Sequence, residues 1–244
     1  MNRSSEGVAA QLPLALRFPA DQRLETFVAA PEGACAAVRA LARGEEAGPP
    51  LSALYLSGGA GTGKTHLLLA ACAEAENAGR RPAYLPLATA AGRLDEALSA
   101  LEHSDLIALD GLEAVAGHRD DEVALFHAHN RARDAGRRLL YAARGAPDTL
   151  ALGLPDLRSR LGQCVRIALE PLDDAGRADV LRLRAQRRGL QMDAAAIEWL
   201  LRRTGRDLAG LTALLERLDR AALAAQRRIT VPFLRQWMGG ALGE

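Results

Sequence analysis

The stretch LSALYLSGGAGTGKTHLLLAACAEAE, residues 51–76, decides the fold of this chain. Its first seven residues form a short apolar run, which is typical of a buried strand. A glycine-rich stretch follows, and the apolar pattern of residues 66–76 then predicts a helix. A strand, a glycine-rich loop and a helix in this order predict a loop that binds phosphate groups at the N-terminus of the helix.

The loop fits the pattern G-x-x-x-x-G-K-[ST], in which backbone N–H groups face the phosphates and the lysine reaches their outer oxygens. Lys64 is the only lysine in the chain, which has 30 arginines. A compact ammonium on a flexible stem is therefore kept at the one place where a planar guanidinium does not replace it. The predicted nucleotide-binding residues are Gly58, Gly59, Ala60, Gly61, Thr62, Gly63, Lys64, Thr65 and His66.

The composition of the whole chain limits the classes of function. A chain of 244 residues with 49% apolar content can bury a sizeable core. The net charge of +1 argues against a dedicated nucleic-acid surface. Cys35, Cys72 and Cys164 are widely spaced and predict buried thiols in a reducing compartment. No apolar run is long enough to cross a membrane, so we expect a cytoplasmic protein without a membrane partner.

The pattern between residues 51 and 169 alternates apolar strands with helices, which predicts a parallel sheet covered on both faces. The predicted strands are 51–57, 82–87, 105–110, 138–143 and 165–169, and the predicted helices between them are 66–76, 88–101, 120–134 and 155–161.

After residue 171 the pattern is helical only, and four helices are predicted to form a small lid. Their predicted ranges are 173–188, 193–205, 207–226 and 232–238. The sequence thus predicts a flexible tail over residues 1–22, an α/β nucleotide-binding domain over 23–170 and a helical lid domain over 171–239, with the nucleotide between core and lid.

The predicted strand LIALD, residues 106–110, ends in a carboxylate. Beside a phosphate loop, Asp110 is expected to hold Mg²⁺ together with the hydroxyl of Thr65. A second carboxylate that could polarise water is missing, because the next residue is Gly111. Glu113 could substitute only if the chain turns back there. The residues therefore predict nucleotide binding more strongly than hydrolysis.

Four stretches of the chain resemble the AAA+ module of the bacterial replication initiator DnaA, and more closely the Hda group of shorter DnaA homologues, which promote regulatory inactivation of DnaA. They are GGAGTGKTHLLLAACAEAE (58–76), LIALDGLEAVAG (106–117), LGLPDLRSRLGQ (152–163) and LDRAALAAQRRITVPFLRQWM (218–238). The resemblance implies the α/β fold of an AAA+ P-loop NTPase, with a five-stranded parallel sheet and a C-terminal α-helical lid.

The resemblance also implies a role for Arg160, which ends the stretch Leu157-Arg158-Ser159-Arg160. In the family this arginine is the finger that acts in trans on the nucleotide of a neighbouring subunit. A guanidinium near the γ-phosphate offsets the charge that develops there during hydrolysis. The implied partner is the initiator DnaA.

The N-terminal stretch QLPLAL, residues 11–16, has leucines at alternate positions around Pro13, which predicts an extended segment. Such a segment either packs on its own domain or enters the pocket of a partner. The resemblance implies that the segment enters a partner's pocket. Residues 11–16 are similar to the hexapeptide with which this homologue group binds the sliding clamp (the beta subunit) of DNA polymerase III. The implied clamp-binding residues are Gln11, Leu12, Pro13, Leu14, Ala15 and Leu16.

Three departures from the family concern hydrolysis in the chain's own site. No family-type sensor-1 residue is present near residues 142–144, the lid sensor position is Ala209 with Arg206 as a nearby stand-in, and the second acid is Gly111. We therefore expect retained ADP or ATP with Mg²⁺, and a weak or absent ATPase of its own. Association with the nucleoid would then come through the clamp.

Other functions fit the same motifs. A clamp-tethered adaptor would recruit a partner without stimulating hydrolysis. A helicase-loader-like or transposition-helper ATPase would need its own catalytic acid and a basic DNA track, and a small-molecule phosphotransferase would need an acceptor pocket. The sequence ends at Glu244 with no basic helix-turn-helix, so no strong direct DNA binding is expected. A homodimer remains open.

Overall fold

The computed structural model describes residue 18 and residues 22–28, 30–45, 51–203, 208–225 and 228–240. Within these residues a five-stranded parallel sheet has the strand order β2-β3-β4-β1-β5. Its strands are β1 (Ala53–Ser57), β2 (Pro82–Pro86), β3 (Leu106–Asp110), β4 (Arg138–Ala143) and β5 (Val165–Ala168). The parallel sheet predicted from the sequence is confirmed.

Five α-helices and three short 3-10 helices lie among the described residues up to the end of the sheet, and a sixth α-helix follows it. The α-helices are α1 (Ala34–Arg43), α2 (Lys64–Asn77), α3 (Leu94–Ser99), α4 (Arg119–Asp134), α5 (Pro155–Gly162) and, after the sheet, α6 (Asp174–Arg187). The 3-10 helices are Leu24–Thr26, Leu87–Thr89 and Leu112–Ala114.

The two faces of the sheet bury two separate apolar clusters, because alternate strand residues point to opposite sides. Leu54 and Leu56 of β1 pack with α1 and α2 on one face. Tyr55 of β1 and Tyr141 of β4 pack with α3, α4 and α5 on the other. Helices on both faces leave the carboxyl ends of the strands as the edge at which a ligand site can form.

One helix differs from the sequence-based prediction. Residues 88–101 were predicted as one helix, but the chain forms a 3-10 turn and then the short α3. The interruption contains Gly92, whose φ of +79° is left-handed, and the buried carboxylate of Asp121 accepts the amides of Gly92 and Leu94. Strand β5, predicted over 165–169, forms at Val165–Ala168 on the edge of the sheet, where Val165 is 52% exposed.

The predicted helical lid is confirmed. It continues from α6 through α7 (Ala194–Arg203), α8 (Leu208–Ala225) and α9 (Val231–Gly240). Asp173 and Asp193 cap two of these helices by accepting the amides of Gly176 and Ala196 at 2.7 and 2.6 Å. Leucines at helical spacing in α8 form its buried face; they are Leu211, Leu215 and Leu218.

Two predicted features lie outside the described residues: the segment 11–16 and Arg206. Among the helices that the structure does describe, none has the length and apolar character that a membrane span requires.

Candidate functional site

The glycine-rich loop begins where β1 ends, at the carboxyl edge of the sheet. The Gly58 amide donates to the Ala143 carbonyl of β4 at 3.2 Å. A Cβ at Gly58 would lie 2.5 Å from the Leu169 carbonyl oxygen. Gly63 has a φ of +92°, and a Cβ there would lie 2.5 Å from the ring of Phe27. The loop therefore needs glycine at these two positions for close approach and for a left-handed turn.

Lys64 lies over this loop and donates from Nζ to the carbonyls of Gly58 and Gly59, both at 2.6 Å. Burial lowers the pKa of the Lys64 ammonium, while the carboxylates of Glu113 and Asp110 oppose that shift. Apart from the turn at Ala60 and Gly61, the amides from Gly59 to Thr65 form no backbone hydrogen bond with another described residue. A row of free amides beside a half-buried ammonium fits an anion with several oxygens, such as a nucleotide polyphosphate.

Asp110 lies directly opposite the start of α2. Its Oδ2 atom accepts hydrogen bonds from the Thr65 hydroxyl at 2.6 Å and from the Tyr84 hydroxyl at 2.9 Å. Burial raises the pKa of Tyr84 and the nearby Asp110 charge raises it further, so this hydroxyl stays protonated and donates. The sequence did not single out Tyr84, because it comes from the neighbouring strand β2 and belongs to no motif.

The pair of Thr65 and Asp110 fits Mg²⁺, which prefers oxygen ligands and keeps several waters. The described residues contain no group of three or more His, Cys, Asp or Glu side chains that could hold a metal by itself. An ion bound here would therefore depend on phosphate oxygens and water to complete its coordination.

His66 faces the segment 22–28 that precedes α1. Its Nε2 atom lies 2.9 Å from the Arg23 carbonyl oxygen and 3.2 Å from the Thr26 hydroxyl. Its ring meets the ring of Phe27 edge-on, with 5.3 Å between the ring centres. His66 thus holds this segment against the loop, a contact that the sequence could not reveal because Arg23 and His66 lie far apart in the chain.

The chain turns back after Asp110. Gly111 has a φ of +80°, and its amide donates to the Ala142 carbonyl at 3.0 Å. This turn brings the Glu113 carboxylate to Arg144, which follows β4. Glu113 accepts the Arg144 amide at 3.2 Å and pairs with its Nε at 3.2 Å. The chain thus turns back after Asp110, and the Glu113 carboxylate is paired there with Arg144.

Arg160 lies on α5, away from the loop. It is half-buried, and none of the ion pairs formed within the described residues includes it. His129 of α4 lies near it: burial lowers the pKa of His129 to about 4, and the positive charge of Arg160 contributes to that shift. Helix α5 packs in the cluster of Tyr55 and Tyr141, whereas α2, which begins at Lys64, packs in the cluster on the other face of the sheet.

The start of α5 is fixed by Glu122, a fully buried carboxylate in the first turn of α4. Its Oε1 accepts the amides of Gly117 and Gly153 at 2.7 and 3.0 Å, and its Oε2 accepts the amide of Leu154 at 2.6 Å. Leu154 immediately precedes α5, so this carboxylate fastens the helix that carries Arg160.

The fold, the glycine-rich loop and the helical lid together define an AAA+ P-loop protein. Residues 19–168 match the family described as the bacterial DnaA ATPase domain, and residues 174–238 match the lid domain of Hda. The first match covers more than half of the chain, and the chain therefore belongs to the DnaA-related AAA+ family and is Hda-like.

Solved structures agree with this fold. Domain III of DnaA from Thermotoga maritima superposes with a TM-score of 0.74 at 21% identity, covering 90% of this chain and 96% of that one. DnaA from Aquifex aeolicus bound to AMPPCP gives 0.65 at 26% identity, covering 82% and 66%. The Holliday junction branch migration motor RuvB of Thermotoga maritima gives 0.63 at 19% identity, covering 89% and 71%. Because the identities are only 21% and 19%, the comparisons with domain III of DnaA and with RuvB show a shared fold only.

Proposed function

We propose that this chain is a negative regulator of the initiation of chromosomal DNA replication. In this proposal it holds a nucleotide in its own loop, docks on the DNA polymerase III sliding clamp and stimulates ATP hydrolysis by the initiator DnaA. Its membership of the DnaA-related family and its Hda-like lid support a role in replication. The clamp contact is assigned to residues 11–16, which lie outside the described residues.

The observation that carries the proposal is the separation between Lys64 and Arg160. Thr65 and Asp110 meet at the start of α2, and α2 and α5 pack on opposite faces of the sheet. Arg160 lies on a different helix, half-exposed and without an ion-pair partner among the described residues. An arginine held in this way can meet a charged group on another molecule.

The bound nucleotide would be ADP or ATP, as the nucleotide-bound DnaA relative suggests. Lys64 and the free loop amides would hold its phosphates. Thr65 and Asp110 would hold Mg²⁺, which neutralises phosphate charge. Glu113 is engaged by Arg144 and Gly111 offers no carboxylate, so these residues favour retention of the nucleotide over its turnover.

In the nucleotide site of DnaA, Arg160 would add a positive charge beside the γ-phosphate. The γ-phosphoryl oxygens of the DnaA-bound ATP carry the charge that develops as water attacks, and a planar guanidinium can bind two of them at once. Such a finger accelerates hydrolysis by roughly 10³- to 10⁵-fold where it has been measured.

Phosphate release from ATP-loaded DnaA, with clamp-loaded DNA present, tests the proposal. Wild-type protein should stimulate release, and Arg160→Ala should lose about a hundredfold or more of that stimulation. The exposed Arg166→Ala on β5 is the matched control and should retain it. Stimulation by Arg160→Ala equal to wild type would refute the trans role.

The clamp step has its own test in the same assay. A Gln11→Ala, Leu12→Ala double change should abolish retention on immobilised clamp and, at limiting protein, the stimulation of DnaA. If wild type binds the clamp but never stimulates hydrolysis, the chain is instead a clamp-tethered adaptor. If the double variant is retained like wild type, the clamp contact is not made by this segment.

A further inference from the structure

The positive charge of this chain is concentrated in the lid. Residues 171–240 contain 13 arginines and eight acidic residues, whereas residues 1–170 contain 18 basic and 21 acidic residues. The net charge of +1 for the whole chain therefore conceals a basic lid and an acidic α/β part. Such an asymmetry between two parts of one chain is typical of a protein that meets a polyanion.

Two groups of arginines can be distinguished in the lid. In the first group each guanidinium is paired with a carboxylate of the lid; the pairs are Arg177 with Asp174, Arg182 with Asp179, Arg188 with Asp219, and Arg202 with Glu198. In the second group each residue is exposed and forms no ion pair with a described residue. We call this second group the unpaired lid arginines; they are Arg203, Arg217, Arg220, Arg228 and Arg235.

Two of the unpaired lid arginines lie over tryptophan rings. The Cζ atom of Arg203 is 4.3 Å from the centre of the Trp199 ring, and that of Arg217 is 5.2 Å from the centre of the Trp237 ring. These are the two tryptophans of the chain, and both pack against one apolar cluster of the lid. The two stacks therefore adjoin the same part of the lid.

The other three unpaired lid arginines adjoin this cluster as well. Arg228 directly precedes its buried residue Ile229, and Arg235 directly follows its buried residue Leu234. Arg220 comes three residues after the α8 arginine of the second stack, on the same side of that helix. The cluster is thus surrounded by guanidinium groups whose charge no carboxylate of the described residues neutralises.

The chemistry of this surface favours double-stranded DNA as its ligand. A protein partner is held by apolar anchors, yet Val165 on β5 is the only large apolar side chain that is exposed among the described residues. A single strand is held by aromatic rings on which bases stack, yet arginines already cover both tryptophan rings. The surface offers charge alone, which suits the regularly spaced phosphates of a duplex.

We propose that the unpaired lid arginines bind the phosphate backbone of double-stranded DNA without reading its sequence. Because only charge contributes, the dissociation constant near physiological salt is about 10⁻⁴ to 10⁻⁶ M. The contact requires neither the clamp nor DnaA, so it goes beyond the function proposed above. A chain tethered to clamp-loaded DNA would meet the duplex at a high effective concentration, at which a weak contact is sufficient.

Fluorescence anisotropy of a labelled duplex of mixed sequence tests the proposal with the full chain and without clamp. For wild type, the logarithm of affinity should fall with the logarithm of salt concentration with a slope of about −4. The triple change Arg220→Gln, Arg228→Gln and Arg235→Gln leaves both tryptophan stacks in place. It should weaken binding at about 50 mM salt by about tenfold or more and make the slope shallower by about three.

The matched control removes three exposed arginines of the α/β part that also form no ion pair within the described residues. These changes are Arg93→Gln, Arg119→Gln and Arg166→Gln. Both triple variants lose the same charge, but the control should bind the duplex within about twofold of wild type and keep its slope. Thermal unfolding of each variant checks that the fold is kept.

Three outcomes would overturn the inference. Equal losses in the two triple variants would show that only the net charge of the chain matters. Tighter binding of a single strand of the same length would assign the surface to unstacked bases. If wild type does not bind the duplex at about 50 mM salt, while the lid variant loses stimulation of DnaA, the surface meets a protein instead. Loss of duplex binding in the lid variant alone supports the inference.

Discussion

At the scale of single residues, Lys64 and His129 show how position determines charge. Burial lowers the pKa of the Lys64 ammonium at the glycine-rich loop, and two nearby carboxylates, Glu113 and Asp110, partly offset that shift. No carboxylate is among the groups that shift the pKa of His129. The residue is only 6% exposed, its Nδ1 atom lies 2.9 Å from the Tyr141 hydroxyl, and the charges of Arg160 and Arg133 act on it. It is therefore neutral in the folded protein.

The buried neutral His129 predicts a pH dependence of stability. The folded protein lowers the pKa of His129 to about 4, mainly by burial, whereas an unfolded histidine titrates near the usual 6.5. The unfolded chain therefore takes up the proton first. The stability is fully present above pH 6.5 and decreases as the pH falls toward 4, by about 2 kcal/mol between pH 7 and pH 5.

Urea unfolding at pH 7 and pH 5 measures this difference. His129→Gln should remove most of it, because glutamine can still meet the Tyr141 hydroxyl but does not titrate. His127→Gln is the control on the same helix, since His127 is exposed, and it should behave as wild type. An unchanged pH dependence in His129→Gln would contradict the assignment.

At the scale of elements, the buried carboxylate of Glu122 joins the start of α4 to the start of α5. Glu122→Gln keeps the shape but places a donor among the three amides of Gly117, Gly153 and Leu154. We expect a loss of about 2–4 kcal/mol in the free energy of unfolding. Amide exchange at Leu154 and along α5 should rise more than exchange in α2.

Asp120→Asn provides the matched control for this prediction. Asp120 lies beside Glu122 in the same first turn but is exposed, so its loss should cost no more than about 1 kcal/mol from the helix dipole. Equal losses in the two variants would show that Glu122 acts only through the dipole and does not fasten α5.

The elements also show what the sequence could and could not predict. Strands β1, β3 and β4 were predicted within two residues of their bounds, because each is a short apolar run with a clear end. Helix α2 begins two residues earlier than its apolar pattern, at Lys64, because its first turn carries the polar residues Lys64, Thr65 and His66. The split of residues 88–101 was missed, since Asp121 that holds the turn comes from a distant part of the chain.

At the scale of the whole molecule, the candidate site combines residues at the ends of β1, β3 and β4 with Tyr84 of β2 and with segment 22–28. The loop and Asp110 could be predicted because a local motif carries each of them. Tyr84 and the Glu113–Arg144 pair could not, because they meet only through the register of β2, β3 and β4. Arg160 was assigned through family resemblance, and its separation from Lys64 required the structure.

The central claim is that the loop of Lys64 holds this chain's own nucleotide while Arg160 is reserved for another molecule. The dissociation constant of ADP for wild type, Lys64→Ala and Arg160→Ala tests it most directly. The account predicts that Lys64→Ala weakens binding by at least about tenfold, because a charge-assisted contact is lost, and that Arg160→Ala binds as wild type. Weaker ADP binding by Arg160→Ala, with the fold intact, would contradict the account, since Arg160 would then belong to the chain's own site.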